Sequence, residues 1–169
     1  MVYGTAPSPA ATLVPVPSGT AYRVESPPDD ALVTPDLAHE LSRALEAFAR
    51  ETGFNERAPV PVTFRPGVVG HHRVGRAADL YAVGGAGLDQ WKRRWDDVHE
   101  NGAPEAQAKE RRQNLGWRLY KALQHHGRWA QPPGYPIQLF GPWTRMEGPW
   151  TRISNRLLDA HRDHIHVAR

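Results

Sequence analysis

Histidine and aspartate come together at two places in the chain: His71-His72-Arg73-Val74-Gly75-Arg76-Ala77-Ala78-Asp79-Leu80, and Asp163-His164-Ile165-His166-Val167. Imidazole and carboxylate in such runs suit a metal ion. Zinc in a catalytic site usually takes three protein ligands from His, Asp and Glu and keeps a fourth position for water. The chain has no cysteine, so thiolate sites and disulfides are excluded and any metal must be held by His, Asp or Glu. His164 and His166 stand two apart in a predicted strand and therefore project from one face of a sheet, while Ile165 and Val167 point to the other. Between His72 and Asp79, Gly75 and the alanines permit close backbone packing. The loop carrying His72 can then fold back over a strand that begins at Asp79, bringing imidazole and carboxylate together.

His72-x-x-Gly75-x-Ala77-x-Asp79-Leu80, followed about 90 residues on by Asp163-His164-x-His166, resembles the paired signature of the zinc D-Ala-D-Ala carboxypeptidase family. That family shares the hedgehog/DD-peptidase fold with dipeptidases, phage endolysins and penicillin-insensitive endopeptidases. The resemblance implies one zinc per chain held by His72, Asp79 and His166, with Asp163 as general base and His164 beside the metal to stabilise a developing oxyanion. It implies a metallopeptidase acting on a peptide bond in peptidoglycan stem peptides, and it makes Arg65 the substrate-binding residue. In two places the chain departs from the family: Gly70 stands where a Ser or Thr is usual, and Phe64-Arg65 replaces a Tyr-Arg pair normally found further upstream. These departures motivate two alternatives, a zinc enzyme of the same fold acting on a small metabolite outside the cell wall, and a non-catalytic zinc-containing binding module.

Such groups need rigid elements to aim them. Thr34 is placed to cap a helix over Pro35–Glu51, with Pro35 at its first position and Gly53 just past its end. Leu37, Leu41, Ala44, Leu45 and Phe48 form its apolar stripe. Strands are expected at Val60–Phe64, where prolines suggest an edge, at Asp79–Val83 before Gly84-Gly85, at Ile137–Phe140 after the Pro132-Pro133-Gly134 break, and at His164–Ala168. Leu88, Trp91, Trp95 and Val98 mark a short helix, and a longer one is read over Pro104–His126, with Lys109, Glu110, Arg111 and Arg112 on a solvated face. Strands and helices do not alternate strictly, so the class expected is α+β, a small antiparallel sheet flanked by helices.

At 169 residues the chain fits one domain, read as 29–169, after a proline-rich arm or linker at 1–28 in which Tyr22–Val24 could add an edge strand. No apolar run approaches the roughly 18 residues of a membrane span. The formal net charge of +3, with both signs mixed along the chain, does not indicate a nucleic-acid partner. A monomer with a peptide or peptidoglycan fragment as substrate is expected. Met1–Ala10 lacks a basic region followed by an apolar stretch, which leaves three expectations open: a cytoplasmic protein, export by a route other than Sec, or a sequence given without its natural leader.

His71, His125, His126 and His161 have no partner at ligand spacing and are read as solvent-facing or supporting residues. Gly141-Pro142-Trp143-Thr144-Arg145 recurs as Gly148-Pro149-Trp150-Thr151-Arg152. The repeat is too short for a solenoid unit, and its tryptophans either cover the core or line a substrate wall.

Overall fold

The computed structural model describes residues 12–67, 70–131, 137–144 and 155–169. They form an α+β protein. The strands are β1 (Val14–Pro15), β2 (Tyr22–Val24), β3 (Leu32–Val33), β4 (Val60–Arg65), β5 (Ala77–Val83), β6 (Ala86–Gly87), β7 (Leu139–Phe140) and β8 (Ile165–Ala168). The helices are α1 (Pro35–Glu51), α2 (Leu88–Asn101), α3 (Pro104–Gln113), α4 (Leu115–His126) and α5 (Asn155–Ala160), with 3-10 turns at Pro28–Ala31 and Gly70–Val74.

The main sheet runs β2-β4-β5-β8-β7, with β6 paired to β5, and β1 pairs separately with β3. The β4-β5, β5-β8 and β7-β8 pairs are antiparallel, but β2 joins β4 in parallel, so the sheet is mixed rather than purely antiparallel. This also corrects the expected edge position of β4, which lies between two strands. Pro61 lacks an N–H, yet its carbonyl accepts from Gly84 N at 2.9 Å. Within the proline-rich stretch, Val16, Ala21 and Tyr22 are buried in the common core.

Register assigns each face its task. Directly opposed residues of antiparallel strands share a face. Phe64↔Leu80↔Ile165 and Ala78↔Val167↔Leu139 make one face, every member of which is buried in the core with Leu37, Leu41, Leu45, Leu119 and Leu123 of α1 and α4. The other face carries the row Arg65↔Asp79↔His166↔Phe140 across four strands.

α1 is built as its sequence predicts. The Thr34 hydroxyl accepts from Leu37 N at 3.4 Å, and all five stripe residues are buried. The helix expected over Pro104–His126 is broken in two at Asn114, whose backbone is extended (φ −72, ψ 104). The fully buried Asn114 side chain accepts from Trp117 N at 2.9 Å, capping α4, and donates to Trp91 O at 2.8 Å and Glu110 Oε1 at 2.7 Å. Glu110 is thus not on a solvated face: it is 3 % exposed and paired with Arg94 at 2.9 Å. β7 is limited to Leu139–Phe140, Ile137 being exposed. No described helix is long and apolar enough to cross a membrane.

Candidate metal centre

Asp79 lies in β5 directly opposite His166 in β8, and its Oδ1 accepts from His166 Nδ1 at 2.9 Å. His72 reaches the same oxygen from the 3-10 turn Gly70–Val74, its Nε2 standing 3.4 Å away. The turn folds back over β5 because Gly75 adopts φ +66, a left-handed backbone that other residues rarely take. Gly75 N bonds His72 O at 3.0 Å, and Arg76 N bonds His71 O at 2.9 Å. Gly67 completes the seat of the imidazole: a Cβ there would lie 2.1 Å from His72 Cγ and Nδ1.

One donor atom from each of His72, Asp79 and His166 lies within 4.8 Å of the other two, and the three side chains are only 11 %, 10 % and 12 % exposed. This group could hold a metal ion. The donor chemistry fits one: two imidazoles and a carboxylate converge in a nearly enclosed space. Burial alone would raise the pKa of Asp79, but hydrogen bonds from His166 and His72 and the nearby charges of His164 and His166 outweigh it. Its carboxyl is held well below the ordinary range, so an anionic ligand is in place.

Three further residues, Arg65, Asp163 and His164, meet beside the trio. Asp163 Oδ1 is 2.7 Å from His164 Nδ1, and its Oδ2 accepts from Arg65 Nη1 at 3.1 Å. Arg65 Nη2 lies 2.6 Å from His164 Nδ1 and 3.2 Å from Nε2. The guanidinium therefore packs against the imidazole, and His164 Nδ1 stands between Asp163 and Arg65. Arg65 Nε is also 3.9 Å from Asp79 Oδ2. His164, only 4 % exposed along its side chain, stands with Nε2 3.6 Å from Asp79 Oδ1. Burial lowers its pKa against the opposing pull of Asp163. The Asp163 carboxyl is 41 % exposed. Burial would raise its pKa, but His164 and Arg65 outweigh that and hold it down.

Arg65, His72, Asp79, Asp163, His164 and His166 therefore lie in one cluster. Sequence spacing did not single out three neighbours. Tyr81, two residues after Asp79 and 40 % exposed, takes the Arg65 guanidinium 5.9 Å above its ring. Phe140 stacks on His166 with centroids 6.1 Å apart. His161 packs against His164 and His166 at 5.0 and 5.1 Å, and burial pushes its imidazole down to about 4, helped by the charges of His166 and His164. The period-2 alternation after Asp79 could have flagged Tyr81; no local signal flags His161. Trp143 of the first GPWTR copy is fully buried and covers the core, while Arg145 and the second copy lie outside the described residues.

Fold and site together define an α+β protein in which a His-Asp-His group, two members on the sheet and one on the neighbouring 3-10 turn, could hold a metal ion. Compared with protein-family models, curated proteins and solved structures, the chain finds no match in any of the three.

Proposed function

We propose that the protein is a zinc-dependent peptidase or amidase, hydrolysing a peptide bond in peptidoglycan stem peptides or related D-amino-acid peptides. The observation that carries this reading is the placement of an exposed carboxylate, Asp163, next to a buried His72-Asp79-His166 group. All-nitrogen-and-oxygen donors with a carboxylate among them suit zinc, and the paired motifs resemble a zinc peptidase family. Bound zinc supplies a Lewis acid and lowers the pKa of water towards ~7.

The chain's own residues do the rest. Asp163 takes a proton at a carboxylate oxygen, its orientation fixed by His164 Nδ1 at 2.7 Å and Arg65 at 3.1 Å. His164 is held inside the cluster, so its part is chiefly to orient Asp163. Arg65, with 35 % of its side chain exposed, is the cation positioned to meet a substrate carboxylate or a developing oxyanion.

The test is Asp163→Asn assayed on muropeptides by mass spectrometry, with zinc content measured in parallel. About one zinc per chain and a loss of hydrolysis of roughly 10²–10⁴-fold are expected. A variant that cleaves at the wild-type rate would remove Asp163 as the base, and a wild type that cleaves no D-amino-acid bond would favour a small metabolite as substrate.

A further inference from the structure

We propose that His161 is a fourth, displaceable ligand of the metal held by His72, Asp79 and His166, closing the coordination position that water or substrate otherwise takes. The inference rests on the metal-centre reading above and adds a residue that sequence spacing gave no ligand partner.

Ring geometry is the first support. Two imidazoles on one tetrahedral zinc, each at a Zn–N distance of about 2.0–2.1 Å, stand with their centroids roughly 5 Å apart. His72 and His166, both in the trio, are 5.2 Å apart at an interplanar angle of 70°. His161 and His166 repeat this relationship, at 5.1 Å and 63°.

Hydrogen bonding is the second. His161 Nδ1 is 2.7 Å from the carbonyl oxygen of Leu157, an acceptor only, so Nδ1 carries the proton and the lone pair sits on Nε2. A metal-ligating histidine is held in this way, its other N–H donated to a carbonyl that fixes tautomer and ring direction. Phe140, with its ring centroid 5.3 Å away, packs against the same imidazole.

His161 also has a means of moving. Its nitrogens lie outside the compact trio, so ligation needs a shift of the ring. It directly follows α5, a six-residue helix that contributes no buried residue, so displacing it disturbs little core packing. His164, the other imidazole near Asp79, is less suited. Its Nδ1 is engaged by Asp163 and the Arg65 guanidinium lies against its ring, a fixed cation that opposes the approach of a second one.

X-ray absorption on the full chain loaded with one zinc counts the imidazoles directly. Three are expected in the wild type and two in His161→Gln and His161→Asn. In the cobalt-substituted protein, the visible spectrum should shift in both variants as water replaces one imidazole, and chelator competition should show zinc affinity falling at least about tenfold. Two imidazoles in the wild type, with cobalt spectra unchanged by either substitution, would overturn the proposal while leaving the metal centre intact. A wild type that binds no metal at all would overturn both readings.

Discussion

Asp79 and His166 face each other across β5 and β8, and the carboxylate Oδ1 accepts from the imidazole Nδ1 at 2.9 Å. Two of the three candidate ligands are thus fixed by sheet register rather than by a loop. Their backbone sites are held by ladder hydrogen bonds and by the buried Leu80-Ile165 pair next along the strands. A one-residue slip of either strand would turn its donor into the core.

His166→Ala and Asp79→Asn should each abolish stoichiometric metal binding. Elemental analysis after dialysis should read about one zinc per chain for the wild type and close to none for the variants. Retention of a full equivalent by either variant would place the metal elsewhere.

Gly67→Ala tests the seat of His72. The added methyl would lie 2.1 Å from the imidazole, so the ring must move and the third ligand moves with it. Chelator competition should show metal affinity reduced by about 10–100-fold, as when a supporting contact of a ligand is lost. Since the clash is with one side chain, the urea midpoint of the metal-free protein should hardly change.

Asn114→Ala should destabilise the protein without touching the metal centre. It removes the α4 cap and leaves Trp91 O and the buried Glu110 carboxylate without an amide donor. A cap is worth roughly 0.5–2 kcal/mol and a buried unsatisfied group about 1–3, so a loss of about 2–4 kcal/mol is expected in urea denaturation. Zinc binding should be unchanged.

Glu40 makes part of the stability dependent on pH. It is 5 % exposed and bonded to Arg43 at 2.8 Å, Arg128 N at 3.2 Å and Arg169 at 3.0 Å. Burial raises its pKa, but these donors and charges outweigh it, so the folded value lies below the ordinary 4.5. A depressed carboxyl stabilises the fold fully above the unfolded pKa and loses that contribution as pH falls from 4.5 through the folded value. Glu40→Gln should therefore lower the denaturation midpoint at pH 7, and the gap to wild type should shrink on acidification below 4.5. A gap that stays constant with pH would show that Glu40 contributes by shape rather than by charge.

Much of the fold is legible where local chemistry alone decides. Thr34, Pro35 and the Leu37-Leu41-Ala44-Leu45-Phe48 stripe define α1 because capping and helical period act within a few residues. The strand expected from His164 begins at Ile165, so only His166 of the His164-His166 pair lies in it. The break at Asn114 is not legible: its partner Trp91 lies 23 residues away in sequence. The parallel docking of β2 on β4 is hidden too, because the prolines around Tyr22 read as an arm until the core gives Val16, Ala21 and Tyr22 somewhere to be buried.

The sequence by itself determined the donor set. With no cysteine, and with His72, Asp79, Asp163, His164 and His166 in two short motifs, residue type already limits the chemistry to imidazole and carboxylate. Tertiary structure decided which donors meet and what stands around them. Register set Arg65, Asp79, His166 and Phe140 in one row, Gly75 and Gly67 shaped the turn that brings in His72, and the end of α5 placed His161 against the ligands. Convergence within a few ångströms depends on pairings up to 99 residues apart, as between Arg65 and His164, and local propensity carries no information at that range.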